Sequence, residues 1–211
     1  AHFGVMPRAG SAADVTWYNM DPRWSFHMVN AWDEGDTIKV DVCASNATRF
    51  APKLDGTMAS ADDGLSPVLR RWTIDVGGTT NAVSEEQLDD LPCEFPRTDD
   101  RFMTRAHRHA WLVGGADAQL MFNRLVHFDR VTGTRKMWGD DRYLLGEPVF
   151  APRSASAPEG DGYVLMLAYD QSTALSQLLV FAATDIERGP VARALLPLRI
   201  PAGFHGTWVG A

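Results

Sequence analysis

The sequence predicts an all-β fold assembled from consecutive antiparallel hairpins. Three observations predict it. Short runs of alternating bulky and polar residues recur roughly every ten residues, the spacing of sandwiches, barrels and propellers. Gly, Asp and Asn cluster between the runs and supply turns. The 3.6-residue apolar periodicity of an amphipathic helix never persists for three turns.

The elements follow in order along the chain. Phe3-Gly4-Val5-Met6-Pro7 already reads as strand, and the chain starts at Ala1 without an initiator Met. A true N-terminus far upstream is therefore expected. Ala12–Val15 is a candidate short helix. Ser25–Ala31 alternates bulky residues, Asp33-Glu34-Gly35-Asp36 turns the chain, and Thr37–Cys43 returns, a hairpin signature. Ser45–Ser66 is a polar surface loop. Val68–Val76 is the next strand, with Arg70, Trp72, Ile74 and Val76 on one face by the period of two. Pro67 stands where a strand tolerates proline, at its start. Val83–Leu91, where Ser84 precedes Glu85, Glu86 and Gln87, is the second candidate helix.

Leu120–Asp129, a turn at Thr132-Gly133, and Thr134–Trp138 form a second hairpin. Arg153–Asp161 is a second surface loop. Gly162–Tyr169, a loop at Asp170–Thr173, and Ser176–Thr184 form a third hairpin. Pro197–Pro201 carries a proline at each end and does not fit a helix. Hairpin after hairpin suits the antiparallel meanders of propeller blades, although no short repeat of the WD or kelch kind is present. No linker or low-complexity tract divides the chain, so residues 1–211 read as one domain.

Composition narrows the function. Hydrophobic residues make up 45% and charged residues 22% of 211, ordinary for a globular domain. A net charge of -7 gives no basic stripe for nucleic acid and no polybasic patch for anionic lipid. No apolar run approaches the ~20 residues that span a bilayer, so no transmembrane segment is expected. The two cysteines, Cys43 and Cys93, lack zinc spacing and read as reduced, buried thiols of a cytoplasmic protein. Nothing in the sequence sets the oligomeric state.

Chemistry has few candidate carriers. The six histidines are His2, His27, His107, His109, His127 and His205, and no pair has local helical metal-site spacing. A metal site would have to be assembled from distant segments. His27 lies in the apolar strand Phe26-His27-Met28-Val29-Asn30-Ala31-Trp32-Asp33, and taken alone reads as a satisfied core residue. His205 lies in Gly203-Phe204-His205-Gly206, where the glycines allow close backbone approach. Glu94 in Cys93-Glu94-Phe95-Pro96-Arg97 and Glu147 in Gly146-Glu147-Pro148-Val149-Phe150 are carboxylates in apolar, proline-flanked sequence. Composition alone makes them solvent-facing turn residues; burial would demand a partner.

Four segments taken together resemble the C-terminal half of the carotenoid cleavage oxygenases. That family has Phe-His-x-x-Asn-Ala-Trp/Tyr-Glu/Asp, then Glu-Phe-Pro-Arg, then Gly-Glu-Pro-x-Phe, then Gly-Phe-His-Gly, and this sequence has all four in that order. Arg105-Ala106-His107-Arg108-His109-Ala110-Trp111 resembles the family's Arg-rich strand after the second motif, with histidines where tyrosine is usual. Gly162-Tyr163-Val164-Leu165 with Leu178-Leu179-Val180-Phe181 is similar to a late blade hairpin, and the similarity runs from Gly4 to Trp208. Gly4-Val5-Met6-Pro7-Arg8 followed by Asp14-Val15-Thr16-Trp17, short loops and acidic character are most similar to the lignostilbene-cleaving branch.

The resemblance implies a seven-bladed β-propeller, of which this chain is roughly the C-terminal three to four blades. It implies a non-haem Fe(II) dioxygenase that cleaves an alkene with O2 to two carbonyl products. The implied substrate is a small aromatic alkene of the hydroxystilbene kind, with an apocarotenoid as the alternative. His27 and His205 become two of four iron ligands, with Glu94 backing His27 and Glu147 backing His205. The other two histidines and a further glutamate belong to the N-terminal half. His107, His109 and His127 match no ligand motif and stay structural or surface residues. Phe26, Phe150, Phe204 and Trp208 are candidates for the substrate pocket, or else core aromatics. A reading of another class stands beside this one: a propeller fragment or binding module without a complete iron site.

Overall fold

The computed structural model describes residues 1–48, 52–58, 65–115 and 122–210. The described chain is strand after strand. A two-stranded hairpin comes first, β1 (His2–Val5) with β2 (Thr16–Asn19). A four-stranded sheet follows: β3 (Trp24–Glu34), β4 (Thr37–Ser45), β5 (Val68–Asp75) and β6 (Val83–Gln87), hydrogen-bonded in sequence order. The second sheet is β7 (Cys93–Arg97), β8 (His109–Gly114), β9 (Arg124–Asp129) and β10 (Thr134–Trp138), again a meander. The third has β11 (Tyr143–Leu145) and β12 (Val149–Pro152) both against β13 (Gly162–Asp170), then β14 (Leu175–Ala182) and β15 (Ala192–Leu195). All these pairings are antiparallel.

Three meander sheets and a leading hairpin are the arc of blades that the sequence predicts. The core confirms a face-to-face stack. Tyr18, Val40, Val42, Trp72 and Ile74 join the first hairpin to one face of the first sheet. Val29, Cys43 and Leu69 on its other face meet Cys93, Leu112, Val126 and Phe128 of the second. Trp111, Val113 and Leu125 then meet Phe150, Val164, Leu179 and Phe181 of the third. Middle strands are thus covered on both faces, and β8 is buried along its whole length. The leading strands β3 and β7 lie against each other, which brings the inner edges of successive sheets together.

The turns are as expected. Gly35 between β3 and β4 has φ 61°, and Gly133 between β9 and β10 has φ 65°, conformations that glycine adopts without strain. Ala12–Asp14 forms one 3-10 turn. Pro197–Pro201 forms no helix. The beginning of the Leu120–Asp129 strand and the middle of the Ser45–Ser66 loop lie outside the described residues.

The second candidate helix is corrected. Val83–Gln87 is strand β6, with Glu85 opposite Trp72 and Glu86 opposite Arg71. Glu85 turns inward, where it accepts from Arg23 Nη2 at 2.8 Å, Arg70 Nη1 at 2.9 Å and Trp72 Nε1 at 2.9 Å. Those partners lie on other segments, and a helix would point the carboxylate away from them. Tertiary contact here overrides the helix preference of Glu and Gln. Exposed Glu86 and Gln87 also suit an outer edge, where charge discourages pairing with another chain.

Candidate metal centre

His27 is on β3, the inner strand of the first sheet. Register breaks flank it, between Ser25 and His27 and between Met28 and Asn30. Such bulges re-aim side chains that strict alternation would send elsewhere. Glu94 is on β7, the inner strand of the second sheet, and a further break follows it, between Glu94 and Arg97. Phe95, inside that break, has φ 49°, a strained value for a residue with a Cβ. Glu147 lies two residues before β12. His205 lies in the C-terminal segment beyond β15, in a stretch with no strand or helix.

The structure brings these four side chains together in the two expected pairs. His27 Nδ1 lies 2.6 Å from Glu94 Oε2. His205 Nδ1 lies 3.2 Å from Glu147 Oε1. The two imidazole centroids are 5.1 Å apart, with ring planes at 72°. Each carboxylate is nearly buried, with side chains 7% exposed for Glu94 and 5% for Glu147, so the two are not the solvent-facing turn residues that composition alone suggests. His27 is a quarter exposed, whereas His205 is 58% exposed.

Each carboxylate is held by more than its histidine. Glu94 Oε2 also accepts the Phe95 N–H at 3.0 Å, and Glu147 Oε2 accepts the Gly206 N–H at 2.8 Å. Glu94 Oε1 is buried without a hydrogen-bond partner. The hydrogen bond to Glu94 raises the pKa of His27 above its ordinary value, against the opposing effect of burial. With Nδ1 engaged by a carboxylate, each ring has Nε2 left to face a ligand. That is how ligating imidazoles are oriented and strengthened.

The donor set fits Fe(II). Imidazole suits iron, and carboxylates that bind the ring rather than the metal leave its positive charge uncancelled. His27 and His205 are the residues that would hold the ion. Among the described residues no group of three or more His, Cys, Asp or Glu side chains gathers to bind a metal.

The aromatic candidates separate into two groups. Phe26, Phe204 and Trp208 are exposed, and the rings of Phe26 and Phe204 lie 6.3 and 6.5 Å from those of His27 and His205. Phe150 is instead buried, stacked on Trp111 at 4.6 Å between centroids and 10° between planes. Its place on β12 turns it into the core between the second and third sheets, away from the exposed rings.

The remaining histidines are engaged elsewhere. His107 is buried beside Asn30 Nδ2 at 3.3 Å and Asp41 Oδ2 at 3.7 Å. His109 Nδ1 and His127 Nε2 are 2.9 Å apart in the core, beneath Trp111. His2 bonds Asn19 at the chain start.

Two residues of the site carried no expectation. The Phe95 ring lies 4.9 Å from His27 and 6.0 Å from His205, beside both imidazoles. Arg97 Nη1 donates to the Gly206 carbonyl at 2.9 Å. The signal was available, since both belong to Glu94-Phe95-Pro96-Arg97, where only the carboxylate drew attention.

Comparison with known proteins agrees with the geometry. The profile of the RPE65 (retinal pigment epithelial membrane protein) family matches residues 1–210. Lignostilbene-alpha,beta-dioxygenase isozyme III of Sphingomonas paucimobilis is 36% identical over 99% of this chain and 46% of its own length. A carotenoid cleavage oxygenase of Mycobacterium tuberculosis is 34% identical over 99% of this chain and 42% of its own length. The crystal structure of Pseudomonas brassicacearum lignostilbene dioxygenase superposes with a TM-score of 0.91 at 35% identity, covering 100% of this chain and 47% of that one. The chain thus spans a little under half the length of these relatives. No helix among the described residues is long and apolar enough to cross a membrane. The chain belongs to the RPE65 family, the carotenoid cleavage oxygenases, and is similar in sequence to a lignostilbene-cleaving member and to a carotenoid-cleaving member of it.

Proposed function

We propose that the full protein is a non-haem Fe(II) dioxygenase. It converts a small aromatic alkene, R–CH=CH–R′, and O2 into two aldehydes, R–CHO and R′–CHO. A hydroxystilbene is the substrate class favoured by the 36% identity to the lignostilbene enzyme. An apocarotenoid is the second reading, favoured by the 34% identity to a carotenoid cleavage oxygenase. The free, buried thiols Cys43 and Cys93 support a reducing, cytoplasmic setting.

The observation that carries the proposal is the paired arrangement: two imidazoles 5.1 Å apart, each with Nδ1 against a nearly buried carboxylate. Fe(II), held in part by His27 and His205, would supply the chemistry that activates O2 towards the alkene. Two further imidazoles come from the part of the protein beyond this chain. Within the chain, Glu94 and Glu147 each hold a proton at Nδ1 and so keep the Nε2 lone pair directed outward. Phe95 fixes the angle between the rings. Exposed Phe26, Phe204 and Trp208 offer apolar surface on which an aromatic alkene rests in a near-attack position and from which water is displaced.

The test is product analysis of the complete protein under O2, with a hydroxystilbene and an apocarotenoid in parallel, together with iron content. Two aromatic aldehydes from the first substrate alone support the first reading. Aldehydes from the apocarotenoid alone support the second. Wild-type iron content in both His27→Ala and His205→Ala refutes the metal centre.

A further inference from the structure

We propose that Arg97 is a positioning residue: it clamps the C-terminal segment, together with Glu147, so that His205 stands beside His27. The inference deepens the proposed function and rests on it for the role of the two histidines.

Residues 201–210 form no strand and are exposed throughout. A stretch of that kind samples many conformations unless it is anchored. Among the described residues, the hydrogen bonds that tie it to the sheets come from two side chains. Glu147 accepts from His205 Nδ1 on Oε1 and from the Gly206 N–H on Oε2. Arg97 Nη1 donates to the Gly206 carbonyl at 2.9 Å and lies 3.5 Å from Glu147 Oε2. The Gly206 residue is therefore gripped at both its N–H and its carbonyl by an acid–base pair whose members also face each other. Arg97 Nη2 is 3.5 Å from Asp100 Oδ2, which steadies the guanidinium from its other end.

The clamp joins three parts of the fold. Arg97 ends β7 of the second sheet, Glu147 leads into β12 of the third, and Gly206 belongs to the segment beyond β15. Close packing limits Gly206 as well, since a Cβ there would meet Val149 Cγ2 at 3.3 Å. Three residues of the Glu94-Phe95-Pro96-Arg97 run therefore address both histidines: Glu94 binds His27, Phe95 lies against both rings, and Arg97 holds the backbone next to His205. A planar guanidinium holds a carbonyl and two carboxylates in one rigid fork, whereas an ammonium on a flexible stem fixes no such geometry.

The experiment uses the full-length protein with Arg97→Met and Arg97→Lys. It reads two quantities: hydrogen–deuterium exchange of amides 202–210 in the metal-free protein, above all that of Gly206, and Fe(II) affinity. For Arg97→Met, exchange of the Gly206 amide, which donates to Glu147 Oε2, is expected to rise about tenfold or more, with β7 and β8 unchanged. Fe(II) affinity is expected to fall about 10- to 100-fold. Arg97→Lys recovers part of both, and decides the matter if the Met variant does not fold. Wild-type exchange in the folded variants overturns the clamp. Faster exchange with wild-type Fe(II) affinity overturns its role in positioning His205. If the wild-type protein itself binds no Fe(II), the iron reading falls, and the exchange data still decide whether Arg97 holds the segment.

Discussion

His27 Nδ1 and Glu94 Oε2 lie 2.6 Å apart although 67 residues separate them in sequence. The bond crosses from the inner strand of one sheet to the inner strand of the next, so the geometry of the proposed metal centre depends on how adjacent sheets pack. Glu94→Gln keeps the shape and removes the charge. An amide presents its NH2 or its oxygen to the ring with little preference, so the Nδ1 proton is no longer fixed. Fe(II) affinity is expected to drop about 10- to 100-fold. The His27 pKa, raised chiefly by the hydrogen bond to Glu94, returns towards its ordinary value. Competitive Fe(II) titration and NMR of the metal-free protein read these, and unchanged values in both would show that the carboxylate is a bystander.

The exposed and buried aromatic rings are expected to fail in different ways. Phe150→Ala removes a ring stacked on fully buried Trp111 and leaves a cavity, which costs about 3–5 kcal/mol. Thermal or denaturant unfolding would show it as a large loss of stability. Phe26→Ala and Phe204→Ala remove exposed rings beside the imidazoles, and stability changes by within about 0.5 kcal/mol. Their effect falls on KM for an aromatic alkene. The pocket assignment fails if KM is unchanged in both.

The fold was legible because its hairpins are local. Gly35 and Gly133 mark tight turns between strands adjacent in sequence, and such turns need no distant partner to be read. The two His–Glu pairs of the proposed metal centre were legible for a different reason: their residues sit in distinctive short motifs that a family resemblance supplies. Periodicity alone could not have assigned His27, because bulges on both sides break the alternation that would predict its direction. It also could not place Phe150, whose burial is decided by the third sheet docking on Trp111. Arg97 was missed because its partners are a carbonyl 109 residues away and a carboxylate on another sheet.

Glu85 shows the same limit and is directly testable. Its carboxylate serves Arg23, Arg70 and Trp72 Nε1, while Arg70 Nε is already buried without a partner. Glu85→Ala strands two guanidinium groups and an indole N–H, and is expected to destabilise the protein by about 3–5 kcal/mol. Glu86→Ala, one residue away and exposed, is expected to stay within about 0.5 kcal/mol. Comparable losses in the two variants would mean that β6 is held by its backbone ladder alone.

Acid sensitivity should come from the core histidines. Burial, reinforced by Arg130 and Arg71, lowers the pKa of His107 to about 4. Burial, reinforced by His109 and Lys136, lowers that of His127 to about 4. Above pH 6.5 both rings are neutral folded and unfolded, and pH does not affect stability through them. Between pH 6.5 and 4 the unfolded chain binds protons that the folded protein refuses, so stability falls as pH falls. The loss for His107, whose side chain is 1% exposed, is on the order of 3 kcal/mol across that window. Replacement by a residue that does not titrate removes its share of the slope. Denaturant unfolding at steps from pH 7.5 to 4.5 is therefore expected to show a steeper decline for the wild-type protein than for His107→Gln. Parallel declines would mean that His107 binds its proton in the folded state as readily as in the unfolded one.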